Sequence, residues 1–312
     1  MKEIFSRRAR WLLTGENPAP LEPDYLSDSS TAQWALNHEQ SKIRSVRQWA
    51  EQRGMRIVEA QPSLQVTLLK VREDRARFYV AQSLALGYVY AGEQQVNRFG
   101  VGSRHIVELQ RVQDRWVIRL EWYSDPLGDE TEVPASASVQ KVLEPAVAGV
   151  AWRGYDREKA AAYADMYCGL AAGCGNNHQY NRRYRDYSGA GGNCSNFASQ
   201  ALRAGGLQIP LIMRADNLVH HLTRAGRAGV VFRGRFPPRW KAEVQAGRIP
   251  VKLQKGDLVA YQVKGKMEHI AIVTGFDSRG YPLVNSHTLD RFHVPFDLGW
   301  DQKTVFWLLK VW

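Results

Sequence analysis

Between Thr31 and Arg53 the apolar residues Trp34, Leu36, Ile43, Val46, Trp49 and Ala50 recur at helical spacing. Gly54 supplies a helix stop, and beyond it the apolar pattern becomes that of strands. Strand-like runs follow at Leu64–Val71, Arg77–Leu86, His105–Arg111 and Trp116–Trp122. The last two flank Gln113-Asp114, the arrangement of a hairpin. One long helix followed by antiparallel strands predicts a small α+β domain over residues 31–123. Residues 1–30, rich in Pro, Asp and Ser, read as a loosely structured lead-in. No catalytic cluster stands out in this half, and His105 reads as a strand surface or edge residue.

Residues 124–150, with Pro126, Gly128, Pro134 and a run of Ala, Ser and Val, read as a linker to a second domain over 151–312. Two domains suit a chain of 312 residues. Asp156 is a good N-cap for a helix carrying Ala160, Ala161, Tyr163, Ala164 and Tyr167. A polar loop rich in Tyr, Asn and Arg spans Gly173–Ala190. Next, glycines at 191–192 and 205–206 bracket a helix of two to three turns, on which Phe197, Ala201 and Leu202 share a buried face. Strands are predicted at Asp257–Gln262, His269–Phe276, Tyr281–His287 and Val305–Val311.

Charge separates the halves. The first 150 residues carry 19 basic and 19 acidic side chains, so the whole excess of +11 lies beyond Val150. A basic half suits a polyanionic neighbour such as an anionic wall polymer, or a solvated Arg-rich surface. Zinc-finger, homeodomain, RNA-recognition and Walker signatures are lacking, which argues against specific nucleic-acid reading. No stretch approaches the roughly 18 apolar residues of a membrane helix. Trp11-Leu12-Leu13 is too short for a signal-peptide core, so localisation stays unassigned, with extracellular or cell-envelope action compatible. The three cysteines fit no zinc spacing, and neither a metal nor a cofactor is expected. Cys168 and Cys174, six apart, suit either a small disulfide loop or two buried thiols.

The third cysteine, Cys194, follows Gly-Gly-Asn at the first turn of the predicted helix. Unpaired N–H groups and the positive end of the helix dipole favour thiolate there and can form half of an oxyanion hole. Asn193 and Asn196 flank it as oxyanion or substrate-binding candidates. A thiol nucleophile needs a base, and His269 at the start of an apolar strand is the candidate. A third group should orient that ring. Asn285 and His287, two residues apart on the next strand, share one face. A three-residue loop Ser278-Arg279-Gly280 would pair Asp277 with Tyr281, setting Ala271 opposite His287 and Val273 opposite Asn285. Both would then share the face of His269, whereas a one-residue slip turns both away.

Several separated motifs occur in an order that resembles the bacterial putative amidase domain family. They are Tyr155-Asp156-Arg157 with Ala160, Tyr163 and Ala164; Gly191-Gly192-Asn193-Cys194-Ser195-Asn196-Phe197 with Ser199-Gln200 and Ala204-Gly205-Gly206; Gly256-Asp257; His269 with Ile272-Val273-Thr274; and His287-Thr288 with Asp290. The resemblance spans about 155–312. It implies a papain-like cysteine hydrolase fold, with the nucleophile-bearing helix packed on an antiparallel sheet. It also implies Cys194 as nucleophile, His269 as base and a polar orienter on the following strand. Asn193 stands where the family usually has Asp, and the insertion around Cys168–Asn177 is a second departure. The expected activity is cysteine-dependent amide hydrolysis on a peptide or peptidoglycan stem. The alternatives are a thioester-forming transpeptidase or acyltransferase, and a catalytically inactive papain-like binding or effector module.

Overall fold

A computed structural model describes residues 1–128, 154–188, 193–235, 252–300 and 303–312. The expected linker from 129 onward and the expected glycine turn at 191–192 therefore lie outside the described residues.

The first thirty residues depart from expectation. Helix α1 (Lys2–Leu12) turns Ile4, Phe5, Arg8, Ala9 and Leu12 inward, an apolar stripe too short to stand out from the polar composition around it. Helix α2 (Ser30–Gln52) matches the predicted periodicity, and the Ser29 hydroxyl caps it by accepting the Ala32 N–H. Four antiparallel strands follow: β1 (Met55–Val71), β2 (Arg75–Tyr90), β3 (Asn97–Val112) and β4 (Arg115–Tyr123). They are longer than the apolar runs predicted, because polar residues and glycines such as Glu59, Gln61, Arg98 and Gly100 are carried along in the ladder.

In the second half, α3 (Arg157–Tyr167) begins at Asp156, whose carboxylate accepts the Lys159 N–H. Helix α4 (Asn193–Ala204) and α5 (Ala215–Arg224) follow, then β5 (Ala228–Gly234), β6 (Leu258–Val263), β7 (Lys266–Phe276), β8 (Pro282–Ser286), β9 (Asp290–Pro295) and β10 (Val305–Val311). Helix α5 and strands β5 and β9 were not anticipated. The fold is α+β. Among the described residues ten strands form one sheet in the order β1-β2-β3-β9-β8-β7-β6-β10-β5, with β4 pairing β3. The two halves are joined in that sheet by β3 against β9, Gly100–Gly102 facing Asp290–Phe292.

Two apolar clusters cover the two faces. One gathers α1, α2 and β1–β3 with Val259, Tyr261, Ala271, Val273 and Val284. The other gathers α3, α4 and α5 with Leu258, Ala260, Ile270 and Ile272. Strand alternation thus sends odd-numbered β7 residues to the first cluster and even-numbered ones to the second. Small residues let α4 settle closely onto the sheet, and Asn193–Leu202 are all buried.

His105 is buried rather than at a surface or edge. Its Nδ1 lies 2.8 Å from Glu121, and Glu121 is held by Arg8 from α1. The Ser103 hydroxyl lies 2.7 Å from the other ring nitrogen. Sequence alternation alone could not reveal this, because the partner that makes burial affordable lies on the unanticipated α1. No helix among the described residues is long and apolar enough to cross a membrane.

Candidate active site

Cys194 occupies the first turn of α4, where the backbone N–H groups of Ile270, Ser195 and Cys194 itself lie near the sulfur and favour its thiolate form. Burial pushes the thiol up from its ordinary value, and the nearby Glu268 carboxylate pushes the same way. The three N–H groups act in the opposite sense by favouring thiolate. The resting thiol is therefore protonated at neutral pH, inside a ready set of donors.

Around this turn the structure brings together Asn193, Asn196 and His287. The Asn193 amide donates to Asp186 (2.9 Å), to the Ser188 hydroxyl (3.2 Å) and to Nδ1 of His287 (3.2 Å). Asn196 donates to the Asn193 side-chain oxygen at 3.1 Å and to the Arg185 carbonyl at 3.2 Å. His287 is buried between two rings, Phe197 at 3.9 Å and Tyr180 at 3.8 Å. Its Nε2 donates to the Tyr167 carbonyl at 2.5 Å. Because an amide N–H can only donate, these partners fix the neutral tautomer with Nδ1 as acceptor. Burial lowers the His287 pKa to about 4, partly offset by Asp290 and the Tyr167 carbonyl.

Asn285 is also on this face, yet apart from the α4 turn. It donates to Asp165 on α3 (2.8 Å) and accepts from the Thr274 hydroxyl (2.8 Å) and the His293 N–H (2.7 Å).

His269 is not brought to the same face. Its ring meets Tyr261 at 5.6 Å and Trp300 at 5.4 Å, on the side of Ala271 and Val273. Its buried Nε2 has no hydrogen-bond partner among the described residues. Burial pushes this imidazole well below its ordinary range, with the Arg291 charge adding to the effect.

The reason is a change of register. The three-residue loop forms as predicted, with Gly280 at φ +78° and Phe276 and Gly275 opposite Pro282 and Leu283. A bulge at Thr274 then shifts the ladder, so Val273 faces Val284 and Ile272 faces Asn285. One extra residue turns Asn285 and His287 onto the Ile270 and Ile272 face, toward Cys194 and away from His269. The expected orientation of His269 by Asn285 or His287 is therefore not formed.

Residues to which the sequence reading gave no catalytic role complete the surroundings. Asp290, fully buried, accepts from Arg104 on β3 (2.9 Å), from the Leu170 N–H (2.8 Å) and from the Tyr180 hydroxyl. Cys168 and Cys174 are joined as a disulfide across the segment that carries Leu170. Gly256 at φ +81° passes under Tyr155, and the buried Asp257 beside it holds Arg157 and the Gln254 and Val311 N–H groups. Among the described residues no group of three His, Cys, Asp or Glu side chains gathers to hold a metal ion.

No curated protein and no solved structure matches the chain. A family model of the putative amidase domain matches residues 154–212 and 210–309, the span that carries α3, α4, Cys194, His269, Asn285 and His287. That span is half of the 312 residues, and the protein belongs to the putative amidase domain family.

Proposed function

We propose that the protein is a cysteine-dependent amide hydrolase with Cys194 as its nucleophile. Membership in an amidase family supplies the coarse reading of an amide hydrolase. The observation that carries the finer one is the place of Cys194 in the first turn of α4, with the backbone N–H groups of Ile270, Ser195 and Cys194 near its sulfur. Donors that surround a sulfur also lie beside the oxygen of any carbonyl carbon bonded to it, which is where oxyanion charge develops.

In the proposed cycle the thiol proton passes to an imidazole and the sulfur attacks the amide carbon. The C–N bond then breaks, and the leaving amine takes that proton. Water next opens the thioester, releasing the acid and restoring the thiol. His269 is the proposed base, since its Nε2 has no partner among the described residues and it directly precedes Ile270, whose N–H lies near the sulfur. This role requires the start of β7 to rearrange, so that the ring passes from the Trp300 face of the sheet to the Cys194 face. His287, with both nitrogens engaged, is a positioning residue acting through Asn193.

The proposed substrates are peptides, including peptidoglycan stem peptides, with an anionic wall polymer met by the basic half. A second reading, an inactive binding module, is favoured by the raised thiol pKa and by the face that His269 occupies. Mass spectrometry of muropeptides and mixed peptides incubated with the protein separates the two. Wild type should release amide-cleavage products, and Cys194→Ala and His269→Ala should release none. An unlabelled Cys194 toward a thiol-reactive probe at neutral pH, with no cleavage, would support binding alone. An added amine acceptor that captures the acyl group would identify transfer instead of hydrolysis.

A further inference from the structure

A cleft of about 590 Å³ opens beside α3, lined by Tyr167, the amide residues Asn176, Asn177, Gln179 and Asn181, and Arg182 and Arg183. The lining has no acidic side chain. Arg182 donates to the Gln179 side-chain oxygen at 2.7 Å, and among the described residues no carboxylate pairs with it or with Arg183. Two adjacent cations in a concave amide-rich wall favour an anionic ligand.

The wall is built at a conformational cost. Asn176, Asn177 and His178 have φ of 50°, 51° and 60°, three successive non-glycine residues in the left-handed region. Such a run costs about 1 kcal/mol or more per residue and persists where its surroundings over-determine it. Here the Cys168–Cys174 disulfide precedes it, Asn176 donates to the Gln179 carbonyl at 2.8 Å, and His178 Nδ1 donates to the Ala171 carbonyl at 3.2 Å. The cleft is also wired to the nucleophile's helix. Asn181 donates to the Tyr163 hydroxyl (3.1 Å), which donates to Gln200 on α4 (2.7 Å).

We propose that this cleft is a substrate subsite for a side-chain carboxylate carried on an extended peptide. Arg182 and Arg183 hold the carboxylate, the Asn and Gln amides bond the peptide backbone, and Tyr167 covers an apolar segment. The assignment of a peptide rests on the amide-hydrolase reading; the preference for negative charge rests on the cleft alone.

The test is isothermal titration calorimetry on the full chain bearing Cys194→Ala, which removes turnover. The probes are N-acetylated, C-amidated Ala-Ala-Glu-Ala and its Gln and phosphoserine counterparts. The Glu peptide should bind at least tenfold more tightly than the Gln peptide. The added pair Arg182→Gln and Arg183→Gln should abolish that difference without changing the Gln peptide's affinity. Both arginines are exposed, so an unchanged melting temperature checks folding. Equal affinity for the Glu and Gln peptides, absence of binding, or a preference that survives the double substitution would overturn the subsite. A phosphoserine peptide binding tenfold more tightly than the Glu peptide would overturn the carboxylate assignment. Peptide cleavage persisting in Cys194→Ala would instead contradict the cysteine reading and leave the binding result standing.

Discussion

Asn193 and His287 are joined by a hydrogen bond of 3.2 Å from the asparagine amide to the imidazole Nδ1, and the ring's other nitrogen donates to the Tyr167 carbonyl. His287→Phe keeps the stack between Phe197 and Tyr180 but leaves the Tyr167 carbonyl and part of the Asn193 amide unpaired. A stability loss of about 1–3 kcal/mol is expected from those buried groups. Misplacing the first turn of α4 should lower kcat by on the order of 100-fold with little change in KM. His287→Gln, which still donates to Tyr167, should fall between. Steady-state kinetics beside urea denaturation checks both effects.

The N-terminal half reaches the site through Arg104, whose guanidinium meets the buried Asp290 at 2.9 Å. Asp290 in turn accepts from Tyr180, the ring on one face of His287. Arg104→Ala leaves a buried carboxylate without its cation and should cost about 3 kcal/mol, with Arg104→Lys recovering part of it. Gly100 has a related role. A Cβ there would stand 1.9 Å from the Ala172 carbonyl oxygen, so Gly100→Ala should push the disulfide loop off β3. Thermal melts and kcat for both variants test whether the halves act as one unit.

Much of this architecture was readable in advance, and the parts that were not share a cause. Helix α2, the Asp156 cap, the Gly280 turn and the start of α4 each depend on residues within a few positions of one another. The faces of Asn285, His287 and His269 depend instead on one bulge at Thr274, held by a hydroxyl-to-amide bond across strands. Alternation counts residues and has no means of counting an extra one. The burial of His105 was hidden similarly, since Arg8 lies 97 positions away on a helix whose apolar stripe spans only three turns.

Stability should fall as pH is lowered from about 6.5 toward 4. Folding holds the His287 pKa near 4, below its ordinary 6.5, so between those values the unfolded chain binds more protons. Its contribution, roughly 3 kcal/mol, is complete above about pH 6.5 and gone by about pH 4. His105 and His269 are shifted down by burial and act in the same sense. His38, raised through its hydrogen bond and charge contact with Asp125 despite its burial, acts oppositely, its stabilisation appearing above about pH 6.5 as pH falls and staying constant through the window below. Below that window the carboxylates of Glu121 and Asp125, held low by Arg8 and Lys42 against their burial, add a further loss. Melting temperatures from pH 8 to pH 4 measure the sum, and His287→Gln should flatten the slope between 6.5 and 4.

Removing the disulfide by Cys168→Ala with Cys174→Ala frees a short loop and should lower stability by roughly 2 kcal/mol. The loss should reach the site as well, because the same segment presents the Leu170 N–H to Asp290. Calorimetric melting of the double variant, paired with its kcat, measures both.

The most direct measurement is intact-protein mass spectrometry after rapid acid quench during turnover of a peptide substrate. The account predicts an acyl adduct on Cys194, released by hydroxylamine and absent from Cys194→Ala. Peptide turnover at the wild-type rate in Cys194→Ala, with no adduct at residue 194 in the wild type, would contradict it.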